Sequence, residues 1–136
     1  MNVLSALKAI FKEKPACSTE TVYLKDALGR TLSKPIVTSK SIPEFDTSSM
    51  DGFAVKKSSL GKIKKFKILG DMPAGAKTDF AIKPSECVRV YTGSRMPKNA
   101  DYVVIQENTQ TKEGFMLVKD FDKKNSYVRK AGSDFR

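Results

Sequence analysis

A dense polar segment, residues 41–55, holds the strongest candidates for chemistry in this sequence. It reads SIPEFDTSSMDGFAV and places the carboxylates of Asp46 and Asp51 around three consecutive hydroxyl side chains. Short polar side chains of this kind hydrogen-bond their own backbone and build a stiff turn. Gly52 after Asp51 indicates a tight reversal before a strand. The segment predicts a carboxylate on a rigid loop, and the alternative is a well-capped surface turn.

A second candidate loop, Thr92-Gly93-Ser94, follows a predicted strand. The glycine permits a positive φ, and successive amides of such a turn can point outward as an anion-binding nest, with two hydroxyls alongside. The alternative is an ordinary loop that needs its glycine only for the backbone angle. Together, the acidic loop and this loop could hold a phosphate or oxyanion with bound magnesium.

A third polar turn closes the chain. A predicted strand delivers Arg129 and Lys130 to a glycine turn, and the carboxylate of Asp134 follows. A solvated surface turn is the alternative interpretation. Because the sequence stops at Arg136, directly after this turn, we expect it to be a portion of a longer chain.

Composition restricts the chemistry that these loops could perform. The 136 residues include no histidine, which excludes a Ser-His or Cys-His nucleophile and a His-ligated zinc within them. Acid–base work falls to Asp, Glu, Lys or Tyr, and a metal would be a hard cation such as magnesium. Cys17 and Cys87 are far apart and are predicted to be reduced thiols.

The net charge of +10 predicts anionic partners, which include nucleic acid, phosphorylated ligands and oxyanions. A basic β domain that binds nucleic acid is therefore the alternative function. Single-strand binders need exposed aromatic platforms among their cations. Here Phe66, Phe80 and Phe115 fall within apolar strand patterns, which disfavours that alternative.

The first 37 residues are predicted to be a helical lead-in and part of a first domain. Helical spacing of apolar residues begins at Val3, and Pro15 ends that helix. A short second helix is expected from Ser18 or Thr19 to a stop at Gly29, and then a strand or extended segment over 31–37. No apolar run approaches the length of a membrane span, so no membrane association and a cytoplasmic location are expected.

Short strands at near-regular spacing predict a β-rich domain over 38–128. They are expected at 53–55, 62–69, 80–82, 87–91, 103–105, 115–118 and 126–129. The apolar run 103–105 suits a strand that is buried on both faces. The predicted fold class is mainly β with a small α-helical N-terminal part, in which many short strands form a barrel-like or sandwich domain.

The three loops, in this order, resemble the front part of the MoeA/gephyrin E-domain family of molybdopterin molybdenumtransferases. The resemblance covers nearly the whole chain. It is carried by Gly29-Arg30, 37–43, the run FDTSSMDGFAV at 45–55, Ala74-Gly75, VYTGSRMP at 90–97, ADYVVIQE at 100–107 and RKAGSD at 129–134.

This resemblance implies an enzyme that inserts molybdenum from molybdate into adenylylated molybdopterin, with magnesium assisting hydrolysis of the adenylate. It implies homodimers of four-domain subunits, whose β-rich second domain faces the partner's pterin domain. Residues 129–136 would then begin a return to the first domain. Since the pterin domain is absent from this sequence, we expect the chain alone to be inactive.

The resemblance also assigns roles to single residues. Asp51 and Thr92 match positions needed for activity, and Arg129 and Asp134 match polar positions of the same cleft. Asp51 would bind magnesium or orient an attacking water. Thr92, with the neighbouring Gly93 and Ser94, would hold molybdate or phosphate oxygens, and Arg129 would balance anionic charge.

Overall fold

A computed structural model describes residues 2–13, 17–77 and 79–135 of the chain. The chain divides into two units, Met1–Val37 and Thr38–Arg136. The assignment of these stretches to protein domains, and of 129–136 to a return into the first domain, stays a prediction.

The first unit contains the α-helix α1, Val3–Lys12. The Asn2 side chain caps it by accepting a hydrogen bond from the Ser5 amide at 2.8 Å. The predicted stop at Pro15 lies outside the described residues. No helix within 2–13, 17–77 and 79–135 is long and apolar enough to span a bilayer.

The predicted second helix is wrong: only a 3-10 turn, Leu24–Asp26, forms there. Leu24 and Leu28 are 92% and 97% exposed, so this short segment gains no burial to stabilise a helix. Gly29 has φ +80°, which suits a chain reversal. The segment 31–37 does not pair as a strand with any described residue.

The second unit is built from β-strands and two short 3-10 turns, Lys57–Ser59 and Gln106–Asn108. The strands are β1 Thr47–Ser48, β2 Gly52–Val55, β3 Lys65–Met72, β4 Glu86–Val90, β5 Tyr102–Ile105, β6 Thr109–Lys112, β7 Phe115–Val118 and β8 Val128–Arg129. One six-stranded sheet has the order β5-β2-β4-β3-β7-β6, and β1 pairs with β8. Only β3 and β4 run parallel among these pairs.

The mainly β fold class is confirmed, and most strands lie where the apolar pattern predicts them. The segment 80–82 is the exception, because it forms only an isolated bridge between Ala81 and Lys98. Strands β1 and β6 were not predicted. Their residues are mostly polar and carry no apolar alternation.

The core of this unit consists of two clusters on opposite faces of the six-stranded sheet. Tyr102 and Val104 belong to one cluster, and Val103 belongs to the other. All three are at most 1% exposed, so the prediction that β5 is buried on both faces is confirmed.

Candidate functional site

Asp51 and Thr92 meet where two neighbouring strands place their ends together. Strands β2 and β4 are antiparallel, with Gly52 opposite Val90. The residue just before β2 therefore lies beside the turn that follows β4. The Thr92 amide and hydroxyl both donate to Asp51 Oδ1, at 2.8 and 3.0 Å. The structure thus brings together the two residues that the family resemblance links to activity.

These contacts keep Asp51 charged. The hydrogen bonds from the Thr92 amide and hydroxyl lower the pKa of Asp51 most, and the positive charge of Arg89 lowers it further. Because the Thr92 hydroxyl donates its proton to Asp51, its oxygen can accept a hydrogen bond from a bound group. The pair therefore offers an ionised carboxylate beside a hydroxyl oxygen.

The outward-facing nest predicted at Thr92-Gly93-Ser94 is wrong. Gly93 does have a positive φ, +84°. Its amide, however, donates to the Ser48 carbonyl at 2.9 Å, and the Ser94 amide donates to the Tyr91 carbonyl at 2.8 Å. Since the Thr92 amide binds Asp51, all three N–H groups have partners within the chain. Thr92 itself is exposed, and the loop does not present a ring of free amides.

Ser94 stabilises this turn instead of facing a ligand. It is fully buried, and its Oγ accepts a hydrogen bond from the Tyr91 amide at 2.9 Å. Its carbonyl also accepts from the Ser48 amide at 2.8 Å. A direct contact between the Ser94 side chain and a substrate, as predicted, would require this turn to open.

The acidic loop lies between the other two loops. Ser48 Oγ donates to the Met50 carbonyl at 2.5 Å, so the predicted bonding of this loop to its own backbone is present. Asp46 instead binds the C-terminal turn: it accepts from the Ala131 amide at 2.9 Å and from Lys130 Nζ at 2.7 Å. The predicted stiffness of the loop therefore comes partly from contacts distant in sequence.

Arg129 and Asp134 form an exposed ion pair with each other. The hydrogen bond between them raises the pKa of Arg129 and lowers the pKa of Asp134. Asp134 therefore already offsets much of the charge that Arg129 was predicted to offer to an anion. Among the described residues, no hydrogen bond joins this pair to Asp51 or Thr92.

Two further residues lie near Asp51 and were not predicted as site residues from the sequence. The backbone N–H of Gln106 donates to the backbone carbonyl of Asp51 at 3.1 Å. The Arg89 Nη2 atom lies 3.5 Å from Gln106 Oε1, a long hydrogen bond. The strand pattern places Arg89 on the face opposite Val88 and Val90, which could have marked it as a site residue.

The described residues contain no cluster of three acidic or thiol side chains. No three Cys, Asp or Glu side chains in 2–13, 17–77 and 79–135 lie close enough together to hold a metal ion. Asp51 could supply one carboxylate, and one of its oxygens already accepts two hydrogen bonds. Protein-bound magnesium commonly keeps several water ligands and binds through one or two carboxylates together with substrate phosphates. Magnesium binding at Asp51 therefore stays a prediction.

The aromatic residues used to weigh nucleic-acid binding are not exposed platforms. Phe66 is fully buried in the core, and Phe80 and Phe115 are half-buried. The Lys65 Nζ atom lies 4.1 Å from the centre of the Phe115 ring, which already covers part of that ring. The alternative function therefore gains no support from these residues.

Comparison with known proteins places this chain among relatives of one family. The family described as MoeA N-terminal region (domain I and II) matches residues 1–136. The chain is 34% identical over 125 residues to the molybdopterin molybdenumtransferase of Bacillus subtilis (strain 168). This match covers 85% of this chain and 29% of that protein. The corresponding enzyme of Nostoc sp. is 32% identical over 116 residues, covering 82% of this chain and 27% of that protein.

A solved structure has the same fold. The molybdopterin biosynthesis moeA protein of Pyrococcus horikoshii OT3 superposes with a TM-score of 0.77 at 28% identity, over 98% of this chain and 36% of that one. The chain spans less than a third of the length of the curated relatives named above.

Proposed function

Because this chain belongs to the MoeA family, as its N-terminal region, we propose that it is the N-terminal portion of a molybdopterin molybdenumtransferase. The complete protein would insert molybdenum from molybdate into adenylylated molybdopterin. The observation that carries this proposal is the double hydrogen bond from Thr92 to Asp51. It joins, across 41 residues of sequence, the two positions that the family resemblance links to activity.

The proposed roles follow from which atoms are already bonded. Asp51 Oδ1 accepts both hydrogen bonds from Thr92, which leaves its second oxygen to accept a hydrogen bond from a bound group. A water held there would be oriented for attack on the adenylate, and the ionised carboxylate would accept its hydrogen bond. The Thr92 oxygen would accept from the same water or from a protonated oxyanion.

The reaction needs parts of the protein beyond this chain. The chain spans under a third of its relatives, so the pterin pocket would come from another part of the polypeptide. We propose a cytoplasmic homodimer in which Asp51 and Thr92 face the substrate bound by the partner. Arg129 and Asp134 would line the same cleft as an ion pair. Magnesium, if the reaction requires it, would take most of its ligands from outside these residues.

A molybdate-dependent assay tests this proposal. Release of AMP from adenylylated molybdopterin is measured with the purified complete protein and with the 136-residue chain. We expect the complete protein to release AMP only when molybdate is present, and the chain alone to release none. A complete protein without molybdate-dependent release would refute the proposed function. Release by the chain alone would refute the proposal that it needs other parts of the protein.

A further inference from the structure

Tyr127 has an unusual backbone conformation beside the acidic loop. Its φ is +55°, in the left-handed region that favours glycine. Two other non-glycine residues among those described, Asn99 and Glu113, have a positive φ, and both lie in tight turns. Tyr127 instead directly precedes β8. This angle costs free energy for a tyrosine, so neighbouring contacts must hold it, and angles held in this way are concentrated at functional sites.

The angle at Tyr127 sends two successive carbonyl groups to different elements. The Ser126 carbonyl accepts from the Val103 amide at 2.9 Å, and the Tyr127 carbonyl accepts from the Ser49 amide at 2.9 Å. Val103 belongs to β5 and is fully buried, whereas Ser49 is exposed and belongs to the acidic loop. The φ and ψ of Tyr127 set the angle between the two peptide planes. Ser126 and Tyr127 therefore form a corner that links the core sheet to the acidic loop.

Asp122 holds this corner through the tyrosine side chain. The Tyr127 hydroxyl donates to Asp122 Oδ2 at 3.3 Å. Asp122 Oδ1 accepts from the Lys124 and Asn125 amides at 2.7 and 3.2 Å, and Oδ2 also accepts from Asn125 Nδ2 at 2.6 Å. The Asp122 carbonyl accepts from the hydroxyl of Tyr102, a fully buried residue of β5, at 2.6 Å. The Tyr127 side chain is therefore anchored, through Asp122, to the same strand that binds the corner by its backbone.

The corner acts on the acidic loop two residues before the candidate carboxylate. The β1–β8 ladder ends with Ser48 opposite Val128, and the hydrogen bond from Ser49 to Tyr127 extends it by one residue. The chain then bends over 49–51 and reaches Asp51. A shift of the Ser49 backbone therefore moves the start of the bend that presents the Asp51 carboxylate.

We propose that Tyr127 is a positioning residue for the candidate site. Its left-handed backbone, held by the hydrogen bond from its hydroxyl to Asp122, directs the carbonyl that binds Ser49 and so fixes the bend that leads to Asp51. The proposal rests on the proposed function in taking Asp51 as a residue of the reaction. The effect of the corner on the acidic loop can be measured without that reaction.

Amide hydrogen exchange, measured by NMR in the 136-residue chain, tests the role of the hydroxyl. We expect Tyr127→Phe to speed exchange of the Ser49 amide by about 3–10-fold, because the loss of one hydrogen bond loosens the corner. Amides in β2 and β4 should keep their exchange rates. Unchanged exchange at Ser49 would overturn the proposal. An equal acceleration of every amide would also overturn it, since that result reports only a loss of global stability.

Asp122→Ala is a second variant, and Asp120→Ala is its matched control. Both remove a carboxylate from the same loop, but Asp120 Oδ1 accepts from the amide of its neighbour Phe121. We expect Asp122→Ala to accelerate exchange at Ser49 and Asp120→Ala to leave it unchanged. Adding Tyr127→Phe to Asp122→Ala should cause little further acceleration, because both changes remove the same contact. Equal effects of the two alanine variants, or fully additive effects in the double variant, would show that the hydroxyl does not act through Asp122.

Two further substitutions test the backbone angle. Asparagine tolerates a positive φ, whereas the β-branched side chain of valine strongly disfavours it. We expect Tyr127→Asn to keep the slow exchange at Ser49 and Tyr127→Val to accelerate it, although both remove the ring and the hydroxyl. Equal exchange in the two variants would overturn the proposal. If Tyr127→Val fails to fold, Tyr127→Phe takes its place in this comparison.

Kinetics of the complete protein distinguish this proposal from the proposed function. We expect Tyr127→Val to lower the turnover of molybdate-dependent AMP release by about 10-fold or more with little change in KM for molybdate, and Tyr127→Asn to retain turnover. An active enzyme in which every Tyr127 variant keeps wild-type turnover would refute the positioning role alone. The expected changes in Ser49 exchange, found in a protein without transferase activity, would refute the proposed function alone.

Discussion

Gly52 lies so close to Val104 that a Cβ atom at this position would be 2.2 Å from the Val104 carbonyl oxygen. The two residues belong to neighbouring strands, β2 and β5, whose ladder pairs Gly52 with Ile105. A tight reversal was predicted at Asp51-Gly52 before a strand; the chain bends at 49–51, and Gly52 is already the first residue of β2. The glycine permits the close approach of two backbones beside the candidate site.

Gly52→Ala is therefore expected to lower the free energy of unfolding by more than about 3 kcal/mol, since backbone atoms cannot move aside as a flexible side chain can. Urea unfolding followed by circular dichroism measures this change. Gly61→Ala is the control: it meets no atom within 4 Å and suffers only from its φ of +78°, at about 1–2 kcal/mol. Equal unfolding midpoints for Gly52→Ala and the wild type would contradict the interpretation.

Asp46→Ala is expected to loosen the acidic loop from the C-terminal turn. The variant loses the hydrogen bonds that Asp46 accepts from Lys130 and Ala131. Because the Asp46–Lys130 pair is partly exposed, this loss should lower the free energy of unfolding by about 1–2 kcal/mol. Glu44→Ala, which breaks the exposed Lys40–Glu44 pair, should lower the free energy of unfolding by less than Asp46→Ala does. Urea unfolding at neutral pH compares the two variants, and equal losses would contradict the prediction.

The Asp46 contacts also predict how stability depends on pH. Partial burial raises the pKa of Asp46, but the hydrogen bonds from Lys130 and Ala131 outweigh it, so the pKa in the folded protein is lowered. The stabilisation is therefore complete above the unfolded-state pKa of about 4 and is lost as pH falls through the folded-state value. The difference in stability between wild type and Asp46→Ala should shrink over this acidic range. A difference that grows there would show that the sign is wrong.

Cys87 should be unreactive in the folded protein, whereas Cys17 should react. Burial raises the pKa of the Cys87 thiol to about 12, and Cys17 is exposed. Only the thiolate attacks a disulfide reagent. Titration with such a reagent should therefore count one thiol in the native chain and two in urea, and native Cys17→Ser should show none. Two thiols reacting equally fast in the native chain would rule out a buried Cys87.

The sequence predicted elements whose stabilisation comes from a repeating apolar pattern. Strand β5 was found because three apolar residues in a row suit a strand buried on both faces, which the core confirms. The helix expected after Ser18 failed for the converse reason. Its apolar residues, Leu24 and Leu28, pack against nothing in the described structure, and a short helix without packing is not stable.

The candidate site was only partly predictable. The residue types at Asp51 and Thr92 indicated anion chemistry, but their hydrogen bonds span 41 residues and depend on the pairing of β2 with β4. The prediction of outward-facing amides was wrong because the Ser48 carbonyl, distant in sequence, accepts the hydrogen bond from the Gly93 N–H. The alternation of β4 could have marked the face on which Arg89 lies, but the register that brings β4 beside β2 is not given by a local pattern.

The Asp51–Thr92 pair should act as one unit in the complete protein. Asp51→Asn removes the charge, and Thr92→Val removes the hydroxyl that donates to Oδ1 while keeping similar volume. Each is expected to lower the turnover of molybdate-dependent AMP release by about 10²–10⁴-fold. Because both changes disrupt the same interaction, the double variant should lose little more than Asp51→Asn alone.

Steady-state kinetics of the three variants checks this, with Thr111→Val as the control, since Thr111 is an exposed residue of β6 outside the site. Unfolding midpoints identify any variant that loses activity through instability. The control should keep wild-type turnover. Fully additive losses in the double variant would mean that Asp51 and Thr92 contribute independently, and wild-type turnover in Asp51→Asn would remove Asp51 from the reaction.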